Sequence, residues 1–227
     1  MNYDWGFADL LPYAPDLLAG AWLTLQMSAV ATALGFVLGC SCAVARDSGA
    51  PWLKAGVGAY VELIRNTPLL VQVFLVYFGL ASLGWRVDAN VAAVLALVVN
   101  VGAYSCEIVR AGIESVHRTQ REAGECLGLS WTQVYTHIVL QPAVERMYPA
   151  LSSQYVMLML ASSITSQISA EELTAVANRV QSDTFRALET YLVAGVIYLL
   201  LSWLLRLVFW GLGQLVFKRR RRLGTPL

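Results

Sequence analysis

The sequence predicts an all-α, polytopic membrane protein with about five transmembrane helices, and three observations carry that expectation. Hydrophobic residues make up 57% of the 227-residue chain and charged residues only 14%, where a soluble domain carries roughly 25% charged residues. The mean hydropathy is +0.58. The apolar residues also gather into runs that approach the roughly 20 residues needed to cross a bilayer.

Five apolar runs are visible, at 17–45, 68–83, 91–109, 148–165 and 191–217. The second is short, so its span extends upstream to about Ala59. The expected spans are then about 17–45, 59–83, 90–112, 147–166 and 189–217, in a single transmembrane domain covering 1–227. The stretch 5–15 contains Pro12 and Pro15 and reads as a broken interfacial piece. Asp4, Asp9 and Asp16 with no early Lys or Arg are the reverse of a secretory n-region.

Charge distribution orients the chain. With the N-terminus outside, the inner segments hold Arg46, Lys54, Arg65, Arg110, Arg118, Arg121, Arg146 and Lys218 with Arg219, Arg220, Arg221 and Arg222. The outer segments hold only Arg86, Arg179 and Arg186, and Arg206 falls within the last span. This is a positive-inside bias. The basic tail reads as a topology anchor at an anionic membrane face; nucleic-acid binding by such a run is the lesser alternative beside a span.

No catalytic constellation is present. Neither Lys54 nor Lys218 follows the glycine frame of a Walker motif, so the chain is not expected to hydrolyse ATP. Cys40, Cys42, Cys106 and Cys126 show no metal or redox spacing, and neither His117 nor His137 has ligand spacing. No metal or cofactor is expected.

The segment 117–142 is more than a loop. Thr119 with Glu122, and Ser130 with Gln133, each have the spacing of a capping box. Gly128 lies between them and suits a left-handed helix end, and Pro142 ends the second piece. The pattern predicts helix, tight turn, helix, with Leu127, Trp131, Val134 and Ile138 on one apolar face. A DNA-reading helix-turn-helix is poorly served by a second helix so low in basic residues. A docking element for a partner on the inner side fits better.

Glu122-Ala123-Gly124, with Gly128 following and Ile138, Leu140 and Pro142 beyond, resembles the EAA motif of ABC importer permeases. Gly124 stands where that motif usually has Ala, Gln141-Pro142 reverses the usual order, and Thr119 stands where this subfamily tends to have Gly. The stretches 60–79 and 103–113, and the segment beginning Leu18, resemble the histidine/glutamine/glutamate/arginine/opine (polar amino acid) permease family. The resemblance covers most of 17–140. It implies a permease subunit in a bacterial cytoplasmic membrane, with the N-terminus outside and the C-terminus cytoplasmic. It would form the path for a polar amino acid with a second permease subunit, a paralogue or an identical copy. ATP-binding cassette subunits would supply the energy and a solute-binding protein would deliver the substrate. Glu122, Ala123, Gly124, Leu127, Gly128 and Trp131 would then couple to the ATPase. The rival class is an autonomous secondary transporter or channel, for which acids at the midplane and an internal repeat are expected; no repeat is seen.

Other polar residues are candidates for the pathway or an interface. Asn100, Tyr104 and Glu107 form one helical stripe. Intramembrane ionisable groups face a cavity or a partner; the alternative is that Glu107 pairs with Arg110. Gln72 lies deep and needs a partner. Glu62 and Arg65 have i, i+3 spacing, and Asn66 or Thr67 before Pro68 suits helix initiation. Ser162, Ser163, Thr165, Ser166 and Gln167 suit packing and hydrogen bonding between helices, with solute contact as the alternative. Arg206 is expected to snorkel inward or meet an acid on a neighbour.

Overall fold

The structure is a computed structural model that describes residues 4–217; the basic run at 218–222 lies outside the described residues. The elements are a 3-10 helix (Phe7–Tyr13), then α1 (Ala14–Ser48), α2 (Pro51–Arg65), α3 (Leu69–Ser82) and α4 (Ala89–Glu114). The insert follows as α5 (Arg118–Cys126), the single turn α6 (Trp131–Gln133) and a π-helix (Val134–Leu140). Then come α7 (Gln141–Ala161), a second 3-10 helix (Ser162–Ile168), α8 (Leu173–Thr184) and α9 (Ala187–Val216).

Three helical stretches are long and apolar enough to cross a bilayer, Phe7–Asp47, Ala89–Glu114 and Ala187–Val216. The pair α2 and α3 makes a fourth if taken together, bent by 111°. The unbroken second span expected from sequence is therefore corrected. In a continuous helix the carbonyl of Ile64 would accept the amide hydrogen of residue 68, and Pro68 has none. Pro68 is itself the residue before the first turn of α3, so neither Asn66 nor Thr67 initiates it. The fourth expected span corresponds to α7 and the 3-10 helix after it, too polar at the insert end to pass the same test. The early prolines do not break the chain as expected: Pro12 lies within the first 3-10 helix and Pro15 in the first turn of α1, where a missing amide hydrogen is tolerated.

α4 is the central post. Ala92, Ala93, Ala96, Leu97, Val101, Ala103 and Cys106 are fully covered, and α1, α2, α3 and α7 pack around it. Small residues let α1 come close. A Cβ on Gly39 would lie 2.5 Å from Ser105 Cβ and 2.9 Å from the Cys106 backbone nitrogen. One on Gly35 would meet Val101 Cγ1 at 2.1 Å. With no hydrophobic drive between helices in lipid, such close packing supplies the association energy.

The sequence suggested that the hydroxyl run after α7 bonds between helices; among the described residues three of its hydroxyls bond within their own helix instead. Ser162, Thr165 and Ser166 each donate to the carbonyl three residues back, at 2.7, 2.7 and 2.8 Å. That local bonding accompanies a tightening of the helix to 3-10 geometry, which ends at Ser169 with φ 64°. α8 was not anticipated, although Leu173, Val176, Ala177 and Val180 have helical spacing and are buried. Its first turn is capped by Glu172, which accepts from the Ala175 amide at 3.0 Å.

Gly39→Ala is expected to destabilise the chain by about 1–3 kcal/mol, because backbone atoms of α4 stand where the methyl must go. Gly56→Ala, where nothing lies within 4 Å, should leave the midpoint unchanged or slightly higher. Thermal unfolding of both variants in one detergent compares them; equal midpoints would contradict the close α1–α4 contact.

Candidate functional site

Two polar assemblies lie along α4, and a protruding knob lies beyond it. In the first assembly Gln72 is buried and its Nε2 donates to the Ile64 carbonyl at 2.8 Å, the Thr67 carbonyl at 3.0 Å and Thr67 Oγ1 at 2.9 Å. It thus supplies the hydrogen that Pro68 lacks. Its own oxygen accepts from Asn100 Nδ2 at 2.9 Å, so α2, α3 and α4 are tied at the bend. Thr67 Oγ1 also donates to the Leu63 carbonyl at 2.8 Å. The sequence anticipated a partner for Gln72 but not which one.

The second assembly sits further along α4, toward the insert. Glu107 pairs with Arg46 of α1 and with Arg110 at 3.0 Å, and lies 3.9 Å from Arg65 of α2. The Arg65 guanidinium also lies 5.6 Å from the centre of the Tyr104 ring. The expected Glu62–Arg65 pair does not form, since Glu62 instead accepts from Asn66 Nδ2 at 3.0 Å and Arg65 turns to α4. Glu107 meets Arg110 as one sequence alternative held. The added partners Arg46 and Arg65 come from distant segments, which no local spacing discloses. The four pathway candidates thus divide into a buried amide pair, Gln72 and Asn100, and a half-buried pair, Tyr104 and Glu107.

The knob is built by its caps. α5 ends in a Schellman turn: Gly128 N donates to the Glu125 carbonyl at 2.9 Å and Leu129 N to the Gly124 carbonyl at 3.1 Å. Gly128 has φ 76°, a conformation that favours glycine. Ser130 and Gln133 then form the expected reciprocal capping box. The other expected box is absent. α5 begins two residues earlier, after His117, so Thr119 is already helical and Glu122 pairs with Arg118 at 2.8 Å. Glu122, Ala123, Leu127, Gly128 and Trp131 are exposed, Leu127 by 81% and Trp131 by 74%.

The single apolar face is also corrected. Leu127 and Trp131 point outward, while Val134 is buried and Ile138 partly so. The Schellman turn at Gly128 separates Leu127 from the second piece, and the π geometry that begins at Val134 alters the register after Trp131. Gly124 is buried beneath them; a Cβ there would lie 2.4 Å from Ile138 Cδ1. Val116, Val134, Val139 and Ala143 complete a small core of the insert's own. Pro142 does not end the second piece. A wider π turn leads into it, avoiding the clash that a proline ring makes with the carbonyl four residues back, and the chain runs on as α7. Arg146 of α7 donates to the Ser115 carbonyl at the end of α4 and Arg121 of α5 to the Ile113 carbonyl at 3.1 Å. Arg121 thus ties the knob to α4, and Arg146 ties α4 to α7, into which the knob continues.

Residues 35–222 match the family described as the binding-protein-dependent transport system inner membrane component. The chain belongs to this family. It is 36% identical to the glutamine transport system permease protein of Escherichia coli (strain K12), over 92% of this chain and 95% of that protein. The octopine transport system permease protein of Rhizobium radiobacter is 34% identical, over 90% and 87%. A crystal structure of an amino acid ABC transporter with histidines superposes with a TM-score of 0.85 at 33% identity, over 96% of this chain and 100% of that one. A permease component of such a system is distinct from the ATPase, consistent with the missing Walker frame.

Gln72→Leu is expected to cost about 1–3 kcal/mol, because it removes the donor that serves two buried carbonyls at the bend. Asn100→Leu removes one bond and should cost less. Denaturant or thermal midpoints of the two variants test the order; a Gln72 variant as stable as the parent would contradict the bridging role.

Proposed function

We propose that this chain is the transmembrane permease subunit of an ATP-binding-cassette importer for a polar amino acid, and that the 117–142 insert is its coupling element. The observation that carries the second part is the doubly capped knob, with Leu127 and Trp131 held outward on a rigid turn. Exposed aromatic and aliphatic side chains on a fixed backbone make efficient docking contacts, since little entropy is lost on binding. The glutamine and octopine permeases among its relatives support the substrate class.

In this scheme five crossings place the N-terminus outside and the C-terminus in the cytoplasm of a bacterial cell, with α7 as the fourth crossing. The positive-inside bias supports that orientation. Two permease subunits, paralogous or identical, enclose the path, two ATPase subunits lie inside, and a solute-binding protein delivers the amino acid outside. Glu122, Ala123, Leu127, Gly128 and Trp131 form the contact with the ATPase, and Gly124, buried under Ile138, supports them from beneath. Closure of the ATPase pair displaces the knob. Because the knob is pinned to Ile113 and continues into α7, which Arg146 ties to Ser115, its displacement tilts α4 and α7 together, a rigid-body switch between access states. Tyr104 and Glu107 border the path, and Gln72 and Asn100 behind them hold the bent span in register.

Gly128→Val forces a β-branched residue into the left-handed region, and Glu122→Lys reverses a charge on the docking surface. Both are expected to abolish most solute-stimulated ATP hydrolysis in proteoliposomes while membrane insertion is unaltered. Trp131→Ala should weaken copurification of the ATPase. Parental coupling in all three variants would remove the docking assignment, and gradient-driven uptake by the purified chain alone would replace the importer with a secondary transporter.

A further inference from the structure

Arg206 takes no part in either polar assembly or in the knob. It lies in α9, the least covered of the three long apolar stretches. The side chain is exposed, and among the described residues it meets neither a carboxylate nor a hydrogen-bond acceptor. It is ten residues before Val216, about 15 Å along the helix, and so is not simply a helix-end cation. An unpaired guanidinium at such a position requires an anion or water.

The surroundings have the character of an anion site. Arg206 lines a groove of about 290 Å³ between α7 and α9, together with Tyr148, Ser152, Ser153, Phe209 and Trp210. No acid lines it. The Ser153 hydroxyl and the indole N–H are donors of the kind that complete an anion's shell, while the guanidinium fork suits phosphate oxygens; Ser152 already donates to the Pro149 carbonyl at 3.0 Å. Tyr148 is already engaged, donating to the Phe209 carbonyl. Trp203 and Leu207 are exposed beside the groove, by 60% and 65%, and continue its wall as apolar surface. Phe209 and Trp210 lie between Arg206 and the basic end of the chain, the direction in which an arginine stem snorkels.

We propose that this groove binds the headgroup phosphate of an anionic phospholipid from the inner leaflet. Arg206 supplies the charge, Ser153 and Trp210 supply hydrogen bonds, and an acyl chain lies along Trp203 and Leu207. The choice of leaflet rests on the orientation proposed above. The run Lys218 to Arg222 follows α9 directly in the sequence, and such a run concentrates anionic lipid at the membrane surface.

The test is native mass spectrometry of the full chain, released from mild detergent after addition of phosphatidylglycerol, phosphatidylcholine or inorganic phosphate. The parent should retain one phosphatidylglycerol in preference to phosphatidylcholine, and inorganic phosphate should not displace it. Arg206→Gln should weaken that retention by about tenfold, the loss of a charge-assisted contact, whereas Arg206→Lys retains part of it and Arg86→Gln all of it. Unchanged elution on gel filtration distinguishes lost binding from lost fold. Equal retention by Arg206→Gln and the parent, equal retention of both lipids, or displacement by free phosphate would each overturn the site. So would interchain cross-linking of Ser153→Cys with Arg206→Cys in membranes, which would put a second permease copy in the groove. Lipid retention is read without ATP or solute, so its failure leaves the importer assignment standing, and failure of coupling leaves the lipid result standing.

Discussion

Hydrocarbon offers no hydrogen bonds, so any break in a membrane helix must be repaired by the protein itself. The bend at Asn66–Pro68 puts that constraint at the centre of this fold. Pro68 cannot serve the Ile64 carbonyl, and Gln72 reaches back to do so at 2.8 Å. Having turned its amide nitrogen to α2, Gln72 offers its oxygen to Asn100 on α4. One local deficit thus becomes a three-helix joint. The direction of α3, and with it the arrangement around the central post, follows from a side chain satisfying a backbone group.

The same economy of contacts appears where α1 meets α4. Gly35, Gly39 and Gly102 permit backbone approach that a methyl group would block. Near the insert the packing gives way to charge. Glu107 gathers Arg46, Arg65 and Arg110 from three helices, which neutralises part of their charge and fixes these helices relative to one another at the insert end. The amide joint and the ion-pair hub occupy different levels of α4, so the post is held at two heights.

The insert is stiffened by its own means. The knob obtains it from a Schellman turn and a capping box in immediate succession, each satisfying helix-end groups that would otherwise be free. Its small core and the bonds from Arg121 and Arg146 leave few ways for it to move independently of α4 and α7. The π turn before Pro142 lets the chain pass into α7 without a break, so the knob and α7 are one continuous element.

The sequence by itself determined the helical membrane class, the long apolar helices, the turn at Gly128 and the Ser130–Gln133 cap, because these depend on composition, run length and contacts within a few residues. It also flagged Gln72, Asn100, Tyr104 and Glu107, since polar groups in apolar runs stand out. Only tertiary structure decided their partners. Gln72 meets Asn100, and Glu107 meets Arg46, across separations of 28 and 61 residues, and spacing along the chain says nothing of that. It likewise moved the α5 start, split the apolar face of the insert and bent the second span. Propensity signals for caps and faces are local and nearly degenerate, and the packing of Gly124 under Ile138 and the joint at Gln72 choose among them.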